Sequence, residues 1–298
     1  MSMREISFKS FNGRDDIQAI VFTPITEPKG IVQVVHGLGE HSRRYLHLML
    51  TLCDAGYVVA ADDHVGHGKT AMLNNTWANF GGAGYMTATN DENSLRKILQ
   101  DEFPDIPYFM FGHSWGSFLI RNYLANYGEG VKGVILCGTC GNMPRVPELL
   151  ADVTKAVEEG RGAEAEPERL LKLIEDWPED WICGDMNVVN DTLTDPYQNQ
   201  ANFDNQSYYE FLTTINAITG IQWAERVPTN VAVFNIAGDG DPTGQYGEGV
   251  YIVSNWLIKT GHKVKTHVYP GLHHEILNYR EHRDGIEAEI VEFLKEQL

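Results

Sequence analysis

Short, nearly unbroken apolar runs alternate with longer stretches of mixed polarity along the first half of the chain. Residues 31–35, 57–61, 108–111 and 133–136 are such runs, and each reads as a strand buried on both faces. The stretches 44–55, 90–102 and 118–127 carry apolar positions at helical spacing. Ahead of this series, residues 5–8 and 17–23 are strand-like and flank Asn12-Gly13, a hairpin signal, so they predict an antiparallel edge. The rhythm breaks at residue 141. From there to 226 no clean strand appears, and 149–157, 168–176 and 208–218 have helical spacing between polar loops. It resumes with an apolar strand at 231–236, a helix at 246–259 and an alternating strand at 263–269. The terminal helix then places Ile286, Ile290, Phe293 and Leu294 on one face. The order predicts an α/β protein with a mostly parallel, eight-stranded sheet covered by helices on both faces. Residues 1–140 and 227–298 are expected to form its core. The block 141–226 reads as a helical cap inserted at the C-terminal edge of the sheet.

A length of 298 residues suits one large core with an insertion. The formal charge of −18 and the lack of a basic run argue against nucleic acid or an anionic membrane as a bulk partner. No segment approaches the roughly 18 uninterrupted apolar residues of a membrane span. Met1-Ser2-Met3-Arg4-Glu5 lacks a signal peptide's apolar region, so a cytoplasmic protein is expected. The four cysteines, Cys53, Cys137, Cys140 and Cys183, are too few and too irregular for a disulfide framework. Cys137-Gly138-Thr139-Cys140 matches Cys-x-x-Cys but has no second such pair and no His-x-x-x-His partner, so structural thiols are expected rather than a zinc or redox site. Nothing in the pattern sets an oligomeric state.

The chemistry concentrates at strand ends. The run 108–111 leads directly into Gly112-His113-Ser114-Trp115-Gly116 and then into a helix. A serine there sits in a sharp strand-to-helix turn with its hydroxyl exposed, and the two glycines leave room where a Cβ would clash. A serine hydroxyl needs an imidazole to take its proton, and the imidazole needs a carboxylate to set its tautomer. The strand at 231–236 ends in Gly238-Asp239-Gly240-Asp241, and the last strand ends in Gly271-Leu272-His273-His274. Serine, aspartate and histidine thus follow in the chain order of α/β-hydrolases, with Asp239 or Asp241 and His273 or His274 open as partners. In that fold the oxyanion donors are the N–H of the residue after the nucleophile, here Trp115, and one from the loop after an earlier strand, here Leu38 of His36-Gly37-Leu38-Gly39. His36, Gly37, Gly112, His113 and Gly116 are expected to support these loops.

Four motifs together resemble the monoacylglycerol lipase/lysophospholipase branch of the α/β-hydrolases, also known as the serine aminopeptidase S33 family. They are His36-Gly37-Leu38-Gly39-Glu40-His41-Ser42-x-x-Tyr45, Asp63-x-x-Gly66-His67-Gly68, Gly112-His113-Ser114-Trp115-Gly116 and Tyr269-x-Gly271-x-x-His274. The resemblance implies an α/β-hydrolase fold whose helical block, in which Asp195-Pro196-Tyr197 to Tyr208 echoes the family's cap, is a lid over an acyl site. It selects Asp241 and His274 as partners of Ser114. It implies a carboxylic ester hydrolase for monoacylglycerol-like or lysophospholipid-like esters, working with water alone and without metal or organic cofactor. The family's second name keeps an aminopeptidase as an alternative, and a non-catalytic binding module is a third. Val65 stands where the family usually has arginine, and Gln198-Asn199-Gln200-Ala201-Asn202 replaces an often cysteine-glycine-aromatic run. Both departures bear on the shape of the acyl pocket. The aromatic residues Trp177, Trp181, Phe203, Tyr208, Tyr209, Phe211 and Trp223 are candidates to line it, each also a candidate for ordinary core.

Overall fold

The computed structural model describes residues 1–298. Eight strands form one sheet in the order β1-β2-β4-β3-β5-β6-β7-β8. They are β1 (Ser2–Lys9), β2 (Asp16–Thr23), β3 (Ile31–Val35), β4 (Val58–Asp63), β5 (Tyr108–His113), β6 (Val131–Cys137), β7 (Ala232–Gly238) and β8 (Val264–Tyr269). β1 and β2 pair antiparallel, β2 runs antiparallel to β4, and every pairing from β4 through β8 is parallel. The expected antiparallel edge is therefore present. β1 alternates between exposed and half-buried positions, as an edge strand does, whereas β3, β4, β5 and β7 are buried throughout.

Eleven α-helices accompany the sheet: α1 (Leu46–Asp54), α2 (Gly68–Asn74), α3 (Thr87–Glu102), α4 (Trp115–Tyr127), α5 (Val146–Glu158), α6 (Glu168–Ile174), α7 (Met186–Thr192), α8 (Asn205–Ala217), α9 (Ile221–Ala224), α10 (Glu248–Lys259) and α11 (Arg280–Lys295). Because side chains alternate across a strand, the apolar runs feed two cores, one on each face. Val32 and Val34 of β3 pack with Leu48, Met49 and Leu52 of α1 and with Ile286, Ile290 and Phe293 of α11. Ile31 and Val35 belong to the core on the other face, with Leu95 and Leu99 of α3 and Phe118 and Leu119 of α4. Gln33 lies between them and is fully buried.

Between β6 and β7 the chain holds α5 to α9 and no strand, only an isolated bridge of Ala165 with Asp204. α5 packs on α8, and α8 on α4. Arg121 of α4 reaches both ends of this block: its guanidinium donates to Cys140 O and Ile218 O, each at 2.6 Å, and lies over the Trp223 ring. Burial pulls the Arg121 pKa down to about 10, partly compensated by the Cys140 side chain, so it remains a cation at neutral pH.

The helix expected from residue 44 begins as a 3-10 turn, Ser42–Tyr45, before α1. α2, α7 and α9 carry too little periodic signal to be read from the sequence; α7 buries no residue at all and rests on the Asp185 side chain, which accepts from Asn187 N at 2.9 Å. All four cysteines are buried free thiols. No helix is long and apolar enough to cross a membrane.

Candidate active site

The elbow begins with strain. Ser114 takes φ 52° and ψ −123° between β5 and α4, a backbone state that L residues rarely adopt. The flanking glycines follow from crowding. A Cβ on Gly112 would stand 2.6 Å from Gly116 O, and one on Gly116 only 2.1 Å from Val35 O. The start of α4 is thereby allowed against the end of β3. Ser114 N donates to Cys137 O at 2.9 Å, and Ser117 Oγ donates to Ser114 O at 2.6 Å, which ties the turn to β6 and to its own helix.

The loops after β7 and β8 bring Asp241 and His274 to this turn. His274 Nδ1 lies 2.9 Å from Asp241 Oδ1, and both residues are buried. Asp241 Oδ1 also accepts from Thr243 N at 2.8 Å. The His274 ring sits 4.6 Å from that of His113, the residue before Ser114, and 5.2 Å from that of Trp181. Gly138, at φ 61°, passes so close that a Cβ there would meet His274 at 3.0 Å and Asp241 at 3.3 Å. The other members of each pair lie elsewhere. Asp239 accepts from Gly271 N at 2.7 Å and braces the two loops, while half-buried His273 bonds to the Tyr279 hydroxyl.

After β3, the loop His36-Gly37-Leu38-Gly39 folds over the elbow, with Gly37 against Ser114; a Cβ on Gly37 would lie 3.0 Å from Ser114 Cβ. Gly37 N donates to Glu40 Oε1 at 2.6 Å and Gly39 N to His67 Nε2 at 2.9 Å. The N–H groups of Leu38 and Trp115, in contrast, have no acceptor in the protein. His36 Nδ1 meets Gly37 O at 2.8 Å, and its Nε2 accepts from His64 N at 3.1 Å. His67 donates from Nδ1 to Val65 O, and burial drives its pKa down to about 3, leaving it neutral.

Glu40 links the three loops. Its carboxylate receives Gly37 N, the Tyr45 hydroxyl at 2.7 Å and His113 Nδ1 at 3.0 Å, and pairs with Arg44 Nε at 3.2 Å. Arg44 reaches on to Glu275, next to His274, at 2.5 Å, and His113 Nε2 contacts His274 O at 3.2 Å. Burial opposes the charge on Glu40, but His113, Arg44 and Tyr45 outweigh it and hold the pKa down to about 2. His113 is raised in turn, its burial overcome by Glu40.

Ser114 opens into a cavity of about 150 Å³ walled by Leu38, Phe118, Leu173, Trp177, Trp181 and Phe211 among others, with no carboxylate in its lining. Leu38 and Leu170 separate it from a larger, more polar cavity of about 330 Å³ with Asn199, Asn202 and Asn205. On its other side, Met143, Leu173, Trp177 and Thr243 are shared with a cavity of about 240 Å³. Of the aromatic candidates, Trp177, Trp181 and Phe211 thus line the space at Ser114. Phe203 and Tyr208 border the polar cavity, and Trp223 is core.

The sheet order, the elbow after β5 and the helical block after β6 define an α/β-hydrolase. A family model described as serine aminopeptidase, S33, matches residues 26–281. The chain belongs to this family. It is similar to a highly thermostable carboxyl esterase from Bacillus coagulans, solved in complex with glycerol, at 50% identity over 99% of each chain and a TM-score of 0.97. A lipase solved in an open form shares 35% identity over 99% of each chain, with a TM-score of 0.93. The monoacylglycerol lipase of Mycolicibacterium smegmatis is 26% identical over 296 residues, covering 96% of this chain and 97% of that protein.

Three features of the site escaped the reading of the sequence. Glu40 and Arg44 stand inside or beside a motif but signal nothing of their partners, because Glu275 and His113 are more than seventy positions away. Gly138 appears as the middle of a Cys-x-x-Cys pattern. His64, Asp62 and Glu92, buried together beneath His36, are brought together only by the packing of α3 on the sheet.

Proposed function

We propose that this carboxylic ester hydrolase cleaves monoacylglycerol-like or lysophospholipid-like esters through an acyl-enzyme formed on Ser114. Ser114 Oγ attacks the ester carbonyl while His274 Nε2 takes its proton, and Asp241 holds the imidazole from Nδ1. The N–H groups of Leu38 and Trp115 receive the negative oxygen as the tetrahedral intermediate forms. Collapse breaks the C–O bond, and His274 returns the proton to the departing alkoxide. Water, deprotonated by His274, then attacks the acyl carbon, and as the bond to Ser114 Oγ breaks His274 passes that proton to it, releasing the acid and free Ser114.

The observation that carries this reading is a strained serine that opens into an apolar cavity, with the 2.9 Å contact of His274 and Asp241 packed against His113 beside it and the N–H groups of Leu38 and Trp115 left without an acceptor. The acyl chain fits the apolar cavity and its extension past Leu173 and Trp177. The alcohol faces the asparagine-bearing cavity beyond Leu38. An aminopeptidase would need an anion for the substrate's free amine; the cavity at Ser114 has none, and Glu166 and Asp176 stand only in the cavities beyond it.

Hydrolysis of p-nitrophenyl esters from acetate to palmitate, alongside a monoacylglycerol and an aminoacyl amide, tests the proposal. Ester turnover is expected to peak at medium or long acyl chains and to fall at least about a thousandfold in Ser114→Ala, which keeps the fold. Retained activity in that variant, or amide turnover without ester turnover, would overturn it.

A further inference from the structure

Beneath the oxyanion loop lies a group of ionisable side chains for which the hydrolytic steps give no role. Asp62 ends β4, His64 follows it, and Glu92 comes from α3; their oxygen and nitrogen atoms lie within 4.8 Å of one another and all three residues are buried. His64 Nδ1 stands 3.1 Å from Glu92 Oε1 and 3.3 Å from Asp62 Oδ2. Asp62 Oδ1 has no hydrogen-bond partner. From the sheet, Gln33 of β3 donates to Glu92 Oε2 and itself accepts from the Tyr108 hydroxyl of β5.

The cluster bears on one peptide. His64 Nε2 lies 3.1 Å from His36 O and donates to it, while His64 N–H donates to His36 Nε2 at 3.1 Å. The rings stack at 3.8 Å, with Trp115 edge-on to His64. Because Nε2 of His36 accepts, its Nδ1 carries the hydrogen and donates to Gly37 O at 2.8 Å. In a trans peptide the C=O and the following N–H point in opposite directions. Holding Gly37 O toward His36 therefore turns Leu38 N–H away from it.

We propose that Asp62, His64 and Glu92 are positioning residues for the oxyanion donor: they lock His64, and through it His36, so that the Gly37–Leu38 peptide presents Leu38 N–H to the carbonyl attacked by Ser114. The inference rests on the assignment of Leu38 and Ser114 made above. Charge balance supports it. Burial pushes Glu92 up to about 8, helped by the neighbouring Asp62 charge and only partly offset by His64, so Glu92 is uncharged at neutral pH. Burial opposes the charge on His64, but Asp62 and Glu92 overcome it and raise its pKa well above the usual value. A raised His64 and an uncharged Glu92 keep the buried group close to neutral, since the charge on His64 is matched by the neighbouring Asp62.

Of the other charged groups nearby, Asp91 feels Asp62 and His64, and its ionisation is common to wild type and Glu92→Gln. His36 and His67 are kept neutral by burial. Asp91, pushed by burial up to about 7, bonds to Ser10 Oγ and Phe11 N in the edge hairpin. Arg96 lies over Tyr108 and bonds elsewhere.

Steady-state kinetics of the full chain on p-nitrophenyl butyrate from pH about 6 to about 10, with fluorophosphonate labelling of Ser114, provide the test. His64→Asn and Glu92→Ala are expected to lower kcat about tenfold to hundredfold at unchanged KM. Glu92→Gln should recover most of that loss, since a neutral amide replaces a neutral carboxyl. The wild-type rate should fall as pH rises through about 8, where Glu92 ionises beside Asp62, and Glu92→Gln should lack this fall. Wild-type kcat in folded His64→Asn and Glu92→Ala would overturn the inference, as would one alkaline profile shared by wild type and Glu92→Gln. Should His64→Asn and Glu92→Ala not fold, the comparison of Glu92→Gln with wild type decides alone. A stoichiometric divalent ion whose chelation removes activity would also overturn it. A wild type that does not label fails at the reading of the site; one that labels and turns over, with indifferent variants, fails only here.

Discussion

At the scale of single residues, Glu40 shows how one buried charge serves several loops. Its carboxylate contacts the loop after β3 through Gly37, the elbow through His113 and, by way of Arg44, Glu275, the residue after His274. Glu40→Gln leaves Arg44 and His113 facing an uncharged amide in a dry site. A loss of about 3 kcal/mol at pH 7 is expected, read by urea unfolding. Its pH dependence has a definite sign. The Glu40 pKa is held at about 2, below the usual 4.5, so its contribution is present above pH 4.5 and drains away as pH falls through 2. The gap between wild type and Glu40→Gln should therefore narrow across that acid window. Sequence placed Glu40 inside a motif; its partners, brought from β5 and from the loop after β8, were not legible there.

Among elements, the decisive contact is that of α4 with β3. Gly116 lets the helix begin against the carbonyls of Val35 and His36, which sets the serine and the loop after β3 side by side. The opposing atoms are backbone and cannot swing aside. Gly116→Ala is thus expected to destabilise the protein by about 3 kcal/mol or more and to reduce ester turnover sharply, measured by thermal melting and kinetics on the soluble fraction. The elbow's two glycines and its strand-to-helix context are visible in the sequence because they are local. The same locality explains why the eight strands were readable and why α7, which buries nothing, was not.

For the molecule as a whole, the helical block between β6 and β7 meets two loops of the site. His274 N and Glu275 N donate to Trp181 O and Ile182 O at 3.2 and 2.8 Å, and Asn199 N donates to Gly39 O at 2.9 Å. We read residues 141–226 on this basis as a cap whose inner face shapes the substrate space. Leu173 of α6 lines both the cavity at Ser114 and its extension. Leu173→Trp should shift the preferred p-nitrophenyl ester toward shorter acyl chains while leaving acetate turnover within about twofold of wild type. An unchanged chain-length profile would show that acyl chains do not run past this residue.

Two kinds of information separate cleanly here. The strand and helix rhythm, the α/β class, the elbow around Ser114 and the presence of an acid and a histidine at later strand ends are all legible in the chain alone. Each of these is written within a few consecutive residues, where the period of apolar positions and the backbone freedom of glycine act directly. Between Asp239 and Asp241, or His273 and His274, neighbouring positions carry the same chemistry, and only the resemblance chose. The tertiary structure decided which member of each pair faces the other, with Asp241 and His274 in contact and Asp239 and His273 turned to Gly271 and Tyr279. It also decided the buried partnerships of Glu40 and His64. Such contacts join residues far apart in the chain, and their energies exist only where packing excludes water and leaves a charge no partner but another side chain.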